Sequence, residues 1–272
     1  MYEAFYGFSE KPFHVTADPA FLFPSRHHQE AMAHLIYGIR ERLGFIMITG
    51  EVGTGKTTLA KTLVNRLEGP VRTALILNPT FSGIQLLQAI LRDWDTQTPY
   101  ANTDKGELLV SIERVLLDQA ESCGNTVLII DEAQALSAST LEQVRLLSNV
   151  ETTKSKLLQI VLIGQPELSQ RLASESRLRA LQQRIAVRYH IQPLDEGEVA
   201  AYIQHRLRAA GSRGSPRFTE GAITLIAQAS GGIPRQINLL CDQALLAGFV
   251  RESKEIDESM VEEAQYAVTM ST

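Results

Sequence analysis

The sequence predicts an α/β protein: a five-stranded parallel sheet with helices on both faces, followed by a small all-helical domain. Three observations predict it. Short apolar runs alternate with stretches of helical periodicity as far as Pro193. One strand-to-helix junction carries Gly50-Glu51-Val52-Gly53-Thr54-Gly55-Lys56-Thr57, which matches GxxxxGK[ST]. Beyond Pro193 the strand signal disappears and only helical patterns continue.

The glycine-rich junction has the flanks that its chemistry requires. Phe45-Ile46-Met47-Ile48-Thr49 leads in as a buried strand, and Thr58 to Leu67 follows with Leu59, Leu63 and Leu67 at helical spacing. Gly50, Gly53 and Gly55 let the backbone turn and approach an anion, so that successive N–H groups and a helix N-terminus converge on it. The stretch Gly50, Glu51, Val52, Gly53, Thr54, Gly55, Lys56, Thr57 and Thr58 is the expected phosphate cradle. Lys56 is suited to the β- and γ-phosphates of a nucleotide, and the Thr57 hydroxyl to Mg²⁺.

Bulk properties narrow the class. With 272 residues, 44% hydrophobic and 21% charged, the chain has enough length for a substantial core and a second small domain. A net charge of −5 and a pI near 5.7 argue against a nucleic-acid coat protein. Cys123 and Cys241 are isolated, offering neither a disulfide framework nor a metal pair, which suits a reducing cytoplasm. Glu3, Glu10 and Lys11 interrupt any signal-peptide core, and no run approaches the ~18 apolar residues of a membrane span. Work at a membrane would therefore require a partner.

In chain order, Met1 to Ser25 mixes aromatics with Pro12, Pro19 and Pro24 and reads as an extended arm. The arm either packs on a core or, through Pro12 and Phe13, walls an adenine pocket. His27 to Leu43 has one apolar helical face; His28 and His34 are six apart and do not form an i, i+4 metal pair. A strand is expected over Arg72–Asn78. A helix follows from Ser82, with Gln85 at capping-box spacing, to Trp94. Asp95 to Thr103 reads as a polar loop, and a further helix opens at Asp104 and Glu107.

The strand Thr126 to Ile130 ends in Asp131-Glu132, two carboxylates where ligands bind in open α/β sheets. Asp131 is suited to hold Mg²⁺ through water, and Glu132 to orient and polarise an attacking water. Ser139 and Glu142 are expected to cap the next helix. Leu157 to Gly164 is a fourth strand with Gln165 just past its end, and Ile185 to Ile191 a fifth. Leu168 to Arg217 holds nine Arg against four acids, so the remainder of the chain carries −10, and the asymmetry suggests an interface. Helices are then expected from Asp195 with Glu198, from Thr219, from Pro234 and from Asp257, the Thr219 helix ending at Gly231-Gly232. The expected domains are 1–193, including the N-terminal arm, and 194–272.

Together these residues resemble the AAA+ ATPases, a resemblance that implies ATP and Mg²⁺ as cofactors and a helical lid over the nucleotide. It implies the Walker B role for Asp131 and Glu132, and sensor 1 for Gln165, touching both γ-phosphate and lytic water. Gly232-Ile233-Pro234-Arg235 resembles the sensor 2 motif, with Arg235 on the phosphates. Leu181-Gln182-Gln183-Arg184-Ile185 resembles the arginine-finger box, implying Arg184, with Arg179 as second choice, acting on a neighbouring subunit in a ring or other head-to-tail homo-oligomer.

A narrower resemblance, to the ExeA/GspA family, rests on Met1-Tyr2-Glu3-Ala4-Phe5-Tyr6-Gly7-Phe8, Lys11-Pro12-Phe13, Asp18-Pro19 and His28-Gln29-Glu30-Ala31. Asp131-Glu132-Ala133-Gln134 and Ile163-Gly164-Gln165-Pro166-Glu167-Leu168 extend it. The family includes general secretion pathway protein A, MshM-like pilus biogenesis ATPases and exosortase-locus ATPases. It implies a cytoplasmic ATPase that drives or regulates assembly of a secretion, pilus or exopolysaccharide/exosortase-linked export machine, reaching the inner membrane through a partner. The secretion member continues into a transmembrane helix and a peptidoglycan-binding domain, whereas this sequence ends at Thr272, so the expectation is closer to the shorter members without cell-wall binding. The alternative is a DNA-binding, transposition-type AAA+ regulator using the arginine-rich stretch. A small-molecule kinase fits less well, because Glu132 is placed to activate water.

Overall fold

The computed structural model describes residues 1–77, 79–94, 103–151 and 155–270; the expected strand end at Asn78 and the expected loop residues 95–102 lie outside the described residues. In chain order the elements are α1 (Tyr2–Tyr6), α2 (Arg26–Arg40), β1 (Phe45–Gly50), α3 (Lys56–Arg66), β2 (Val71–Ile76), α4 (Gly83–Trp94), α5 (Lys105–Glu121) and β3 (Asn125–Ile130). Then come α6 (Ala138–Leu147), β4 (Leu158–Gly164), α7 (Pro166–Ser174), α8 (Arg179–Arg184), β5 (Ile185–Ile191), α9 (Glu196–Ala209), β6 (Arg217–Phe218), α10 (Glu220–Ser230), α11 (Pro234–Val250), β7 (Glu255–Ile256) and α12 (Glu258–Met270). Contacts divide the chain into a sheet unit, Gln29–Gly50 with Leu59–Ile191, and a second unit made of Met1–His28, Glu51–Thr58 and Gln192–Thr272.

The sheet unit holds five parallel strands in the order β2-β3-β4-β1-β5. Every residue of β1 and β4 is buried, as expected of strands covered on both faces. Strand alternation divides them between two cores. Ile46, Ile48, Val127, Ile129, Val161 and Ile163 meet Leu35 and Ile39 of α2 and Leu59 and Leu63 of α3 on one face. Phe45, Met47, Leu128, Ile130, Ile160 and Leu162 meet Leu86, Ile90, Leu108, Ile112, Leu141, Val144 and Leu168 of α4 to α7 on the other. Each such aliphatic side chain contributes about 1.5–3 kcal/mol on burial, so the period-2 pattern holds the register firmly.

Helix starts follow local chemistry. Ser82 and Gln85 exchange backbone-to-side-chain bonds at 2.9 and 3.3 Å, and Asp104 receives the Gly106 and Glu107 amides. One cap differs from expectation: Ser137, not Ser139, caps α6 by accepting from Thr140 N at 3.1 Å. Ser139 already lies inside the first turn, where its hydroxyl meets that of Ser137.

The second unit has its own core. Val199, Tyr202, Ile226, Ile237, Leu240 and Leu245 of the lid helices enclose Tyr2, Tyr6, Phe8, Phe13 and Phe21 of the arm. The arm, expected with the sheet domain, thus shares a core with the lid, because its aromatics find the lid's apolar faces. It is also not wholly extended: α1 ends at Gly7, whose φ of 77° closes the helix in the left-handed region. Phe13 is buried edge-on to Phe218, with ring centroids 6.3 Å apart, so it packs rather than walls a nucleotide pocket. Buried Arg206 of α9 clamps the arm, donating to the Pro12 and His14 carbonyls at 2.6 and 2.8 Å while its guanidinium lies over the Phe21 ring. The lid is not purely helical: β6 and β7 pair in parallel, Arg217 with Glu255 and Phe218 with Ile256.

Candidate functional site

Parallel topology brings three strand ends to one edge of the sheet. Gly50, which opens the glycine loop, ends β1; Asp131 follows β3; and Gln165 follows β4, the strand lying between β3 and β1. This carboxyl edge is where open α/β sheets bind ligands.

Past Gly50, the glycine loop, Glu51–Thr58, belongs to the second unit. Gly53 and Gly55 take φ values of 86° and 90°, which side chains rarely adopt, whereas Gly50 lies in ordinary strand geometry. The Glu51 carbonyl gathers the loop, accepting from Thr54 N at 3.3 Å, Thr54 Oγ1 at 2.8 Å and Lys56 Nζ at 2.7 Å. Lys56, only 4% exposed, and Thr57 open the first turn of α3, while Glu51 and Val52 are exposed and Thr58 is half-buried. A buried ammonium beside a helix N-terminus, with a threonine hydroxyl next to it, is a donor set that fits a polyphosphate with its divalent cation.

Two groups of the same unit hold the loop. Arg235 N, at the start of α11, donates to the Gly53 carbonyl at 3.2 Å, and a Cβ on Gly53 would lie 2.6 Å from Arg235 Cβ. The Arg235 side chain is exposed above that glycine. His28 is buried; its Nε2 donates to the Thr54 carbonyl at 2.9 Å, and its Nδ1 accepts from Ser25 Oγ at 2.7 Å. Burial holds the His28 imidazole below its ordinary pKa, against the opposing pull of the Thr54 carbonyl and the Glu198 carboxylate.

The acidic pair belongs to the sheet unit. Asp131 is 2% exposed, and its Oδ1 accepts from Glu132 N at 2.9 Å. Glu132 sits in the left-handed region, φ 52°, and its Oε2 receives Gln165 Nε2 at 3.1 Å together with Gln134 Nε2. Gln134 Oε1 accepts from Gln165 N at 3.1 Å and would lie 2.7 Å from a Cβ on Gly164, so the amide needs that glycine. Arg171 secures this segment, donating to the Gln134 and Leu136 carbonyls at 2.7 and 2.9 Å and to Glu175 at 2.7 Å.

The expected arginine finger is engaged within its own chain. Arg184 Nη1 donates to Asn149 Oδ1 at 2.6 Å, Ser148 Oγ at 2.9 Å and the Arg145 carbonyl at 3.4 Å, at the C-terminal end of α6. Arg179 is exposed, with no such tie among the described residues. Of the nine arginines from Leu168 to Arg217, Arg171, Arg184, Arg188 and Arg206 bond internally, so the stretch is in part structural rather than a single binding surface. These contacts of His28, Gln134 and Arg171 were not expected from the sequence. Their partners lie 26, 31 and 37 residues away, beyond any local pattern.

Fold and loop define a P-loop protein of the AAA+ class. A model described as AAA domain matches residues 39–172. Solved structures share the fold at low identity. The Aeropyrum pernix ORC2 protein in ADPNP-ADP complexes gives a TM-score of 0.73 at 16% identity, covering 95% of this chain and 72% of that one. The Thermotoga maritima RuvB Holliday junction branch migration motor gives 0.59 at 18%, covering 91% and 70%. General secretion pathway protein A of Aeromonas hydrophila is 45% identical over 270 residues, 99% of this chain and 49% of that protein. The chain belongs to the ExeA/GspA family of AAA+ proteins. It spans about half the length of this curated relative. No helix among the described residues is long and apolar enough to cross a membrane.

Proposed function

We propose that the protein binds ATP on the Gly50–Thr58 loop and hydrolyses it, and that its nucleotide state drives or regulates assembly of an export machine. Lys56 and the loop amides hold the phosphates, Thr57 and Asp131 hold Mg²⁺, Glu132 polarises water, and Gln165 and Arg235 read the γ-phosphate. Mg²⁺ supplies charge neutralisation on the phosphate oxygens when bound. The observation that carries the hydrolytic reading is the Glu132 carboxylate, strained in backbone and fixed by two amides at the carboxyl edge of the sheet. A carboxylate so held is a base with a set direction.

Binding of labelled ATP and phosphate release, compared in wild type, Lys56→Ala and Glu132→Gln, test this reading. Lys56→Ala is expected to lose binding. Glu132→Gln is expected to keep binding while release falls by roughly 10²–10⁴, the usual weight of a general base. Equal phosphate release by wild type and Glu132→Gln would refute hydrolysis at this site.

The oligomeric reading assigns a trans-acting arginine to Arg184 or Arg179, in a cytoplasmic homo-oligomer that a secretion or pilus partner recruits to the inner membrane. The name of the Aeromonas relative, general secretion pathway protein A, supports the export setting. DNA is the second reading, supported by exposed Arg177, Arg179, Arg208, Arg213 and Arg217 and by the fold shared with the Aeropyrum pernix ORC1 protein in complex with DNA. Filter binding of duplex DNA at two salt concentrations decides it, since phosphate contacts weaken steeply with salt.

A further inference from the structure

We propose that His28 is a positioning residue for the phosphate-binding loop: through the Thr54 carbonyl it sets the direction in which the Gly55 amide points, with Ser25 selecting its tautomer. The inference rests on the loop being a nucleotide site. In a planar trans peptide the C=O and the following N–H point opposite ways. Two successive peptide planes of the loop are pinned through their oxygens: Gly53–Thr54 by Arg235 N and Thr54–Gly55 by His28 Nε2. The first plane sends Thr54 N–H toward the Glu51 carbonyl. The second sends Gly55 N–H to the side away from the imidazole, at a residue with φ 90° that has no stiff side chain of its own to hold that plane. The backbone freedom that lets the loop turn is thus removed from outside by one buried ring.

The ring is built for this. A carbonyl can only accept, so Nε2 carries the proton, and Ser25 Oγ–H directed at Nδ1 fixes that tautomer. Ser25 Oγ also accepts from His28 N at 3.3 Å. Just ahead, Arg26 N donates to Glu198 Oε1 at 3.0 Å, tying this turn to the capping box of α9. Space is tight: a Cβ on Gly55 would lie 3.0 Å from His28 Nε2, so ring and loop fit each other.

Three variants test the role: His28→Gln, whose amide can place a donor where Nε2 stands; His28→Leu, which fills the volume without a donor; and Ser25→Ala, which keeps the ring. Affinities for ADP and a non-hydrolysable ATP analogue are measured by calorimetry, alongside the melting temperature of the nucleotide-free protein. We expect His28→Leu to weaken both nucleotides by roughly tenfold, the weight of one buried hydrogen bond, with His28→Gln within about threefold of wild type. Ser25→Ala should fall between them, with only the modest drop in melting temperature that loss of its bond from His28 N brings, and it decides the matter should His28→Leu not fold. Wild-type affinity in His28→Leu, or in Ser25→Ala where His28→Leu is unfolded, overturns the inference. So does equal loss in His28→Gln and His28→Leu accompanied by a common drop in melting temperature. Wild-type protein that binds no nucleotide overturns instead the reading beneath it.

Discussion

Gln165 donates its side-chain amide to the Glu132 carboxylate at 3.1 Å, joining the ends of two adjacent parallel strands, β3 and β4. The bond matters because Glu132 holds a left-handed backbone, which costs a side-chain-bearing residue roughly 1–2 kcal/mol and persists only where surrounding contacts enforce it. Gln134 provides the second contact and also receives Gln165 N.

Gln134→Ala removes the group common to both residues. Phosphate release should fall about tenfold or more through lost orientation of Glu132, while ATP affinity stays within about twofold. Single-turnover kinetics beside calorimetry separate the two quantities. Unchanged turnover would show that Glu132 needs no such support.

Gly53→Ala forces a Cβ into a residue at φ 86° and to within 2.6 Å of Arg235 Cβ. Loss of about 1–3 kcal/mol of stability is expected, with weakened nucleotide binding, read by urea denaturation and calorimetry. Arg235→Ala should leave stability nearly unchanged, since the contact to the Gly53 carbonyl comes from its backbone nitrogen.

Arg206→Met leaves the Pro12 and His14 carbonyls without their donor inside the second unit's core. Each buried acceptor so stranded costs about 1–3 kcal/mol, so a loss of roughly 2–5 kcal/mol and faster proteolysis within the first twenty-five residues are expected. Limited chymotrypsin digestion followed by mass spectrometry reads it, since Tyr2, Phe5, Tyr6, Phe8, Phe13 and Phe21 offer cleavage sites there.

His14, His28 and His205 all have pKa values lowered from 6.5, each chiefly by burial. The unfolded chain then binds protons that the folded one does not, so stability rises with pH across this interval. It is fully present above pH ~6.5 and is lost as pH falls from there toward the folded values. Melting temperatures between pH 5 and 8 should show the decline, and His28→Gln should flatten part of it. A flat profile in wild type would contradict the neutral, buried state of these rings.

Arg184→Ala and Arg179→Ala, each mixed with Lys56→Ala subunits, identify the trans-acting arginine. The variant that keeps ATP binding, loses hydrolysis by roughly 10³ or more and regains turnover on mixing carries it. Arg184 must first leave Asn149 and Ser148, so Arg184→Ala is expected to lower stability as well, whereas exposed Arg179→Ala is not. Failure of any mixture to recover turnover would exclude a shared site.

Much of the architecture was legible in the chain because short-range rules carry it. Strands buried on both faces read as continuous apolar runs. The loop at Gly50–Thr57 sits where strand gives way to helix, and capping residues such as Ser82, Asp104, Asp195 and Thr219 announce helix starts within four residues of themselves. Ser139 misled for the same reason: Ser137 competes for one cap, and only the path of the chain chooses between them. Tertiary structure alone decided that the aromatic arm shares a core with the lid, that Arg206 and His28 bond to backbone carbonyls of other segments, and that Gln134 and Gln165 meet on Glu132. A local motif records which chemistry is available, because its atoms are neighbours along the chain. Which way a peptide plane or a carboxylate points depends on partners brought from dozens of residues away, and that direction appears only once the cores have closed.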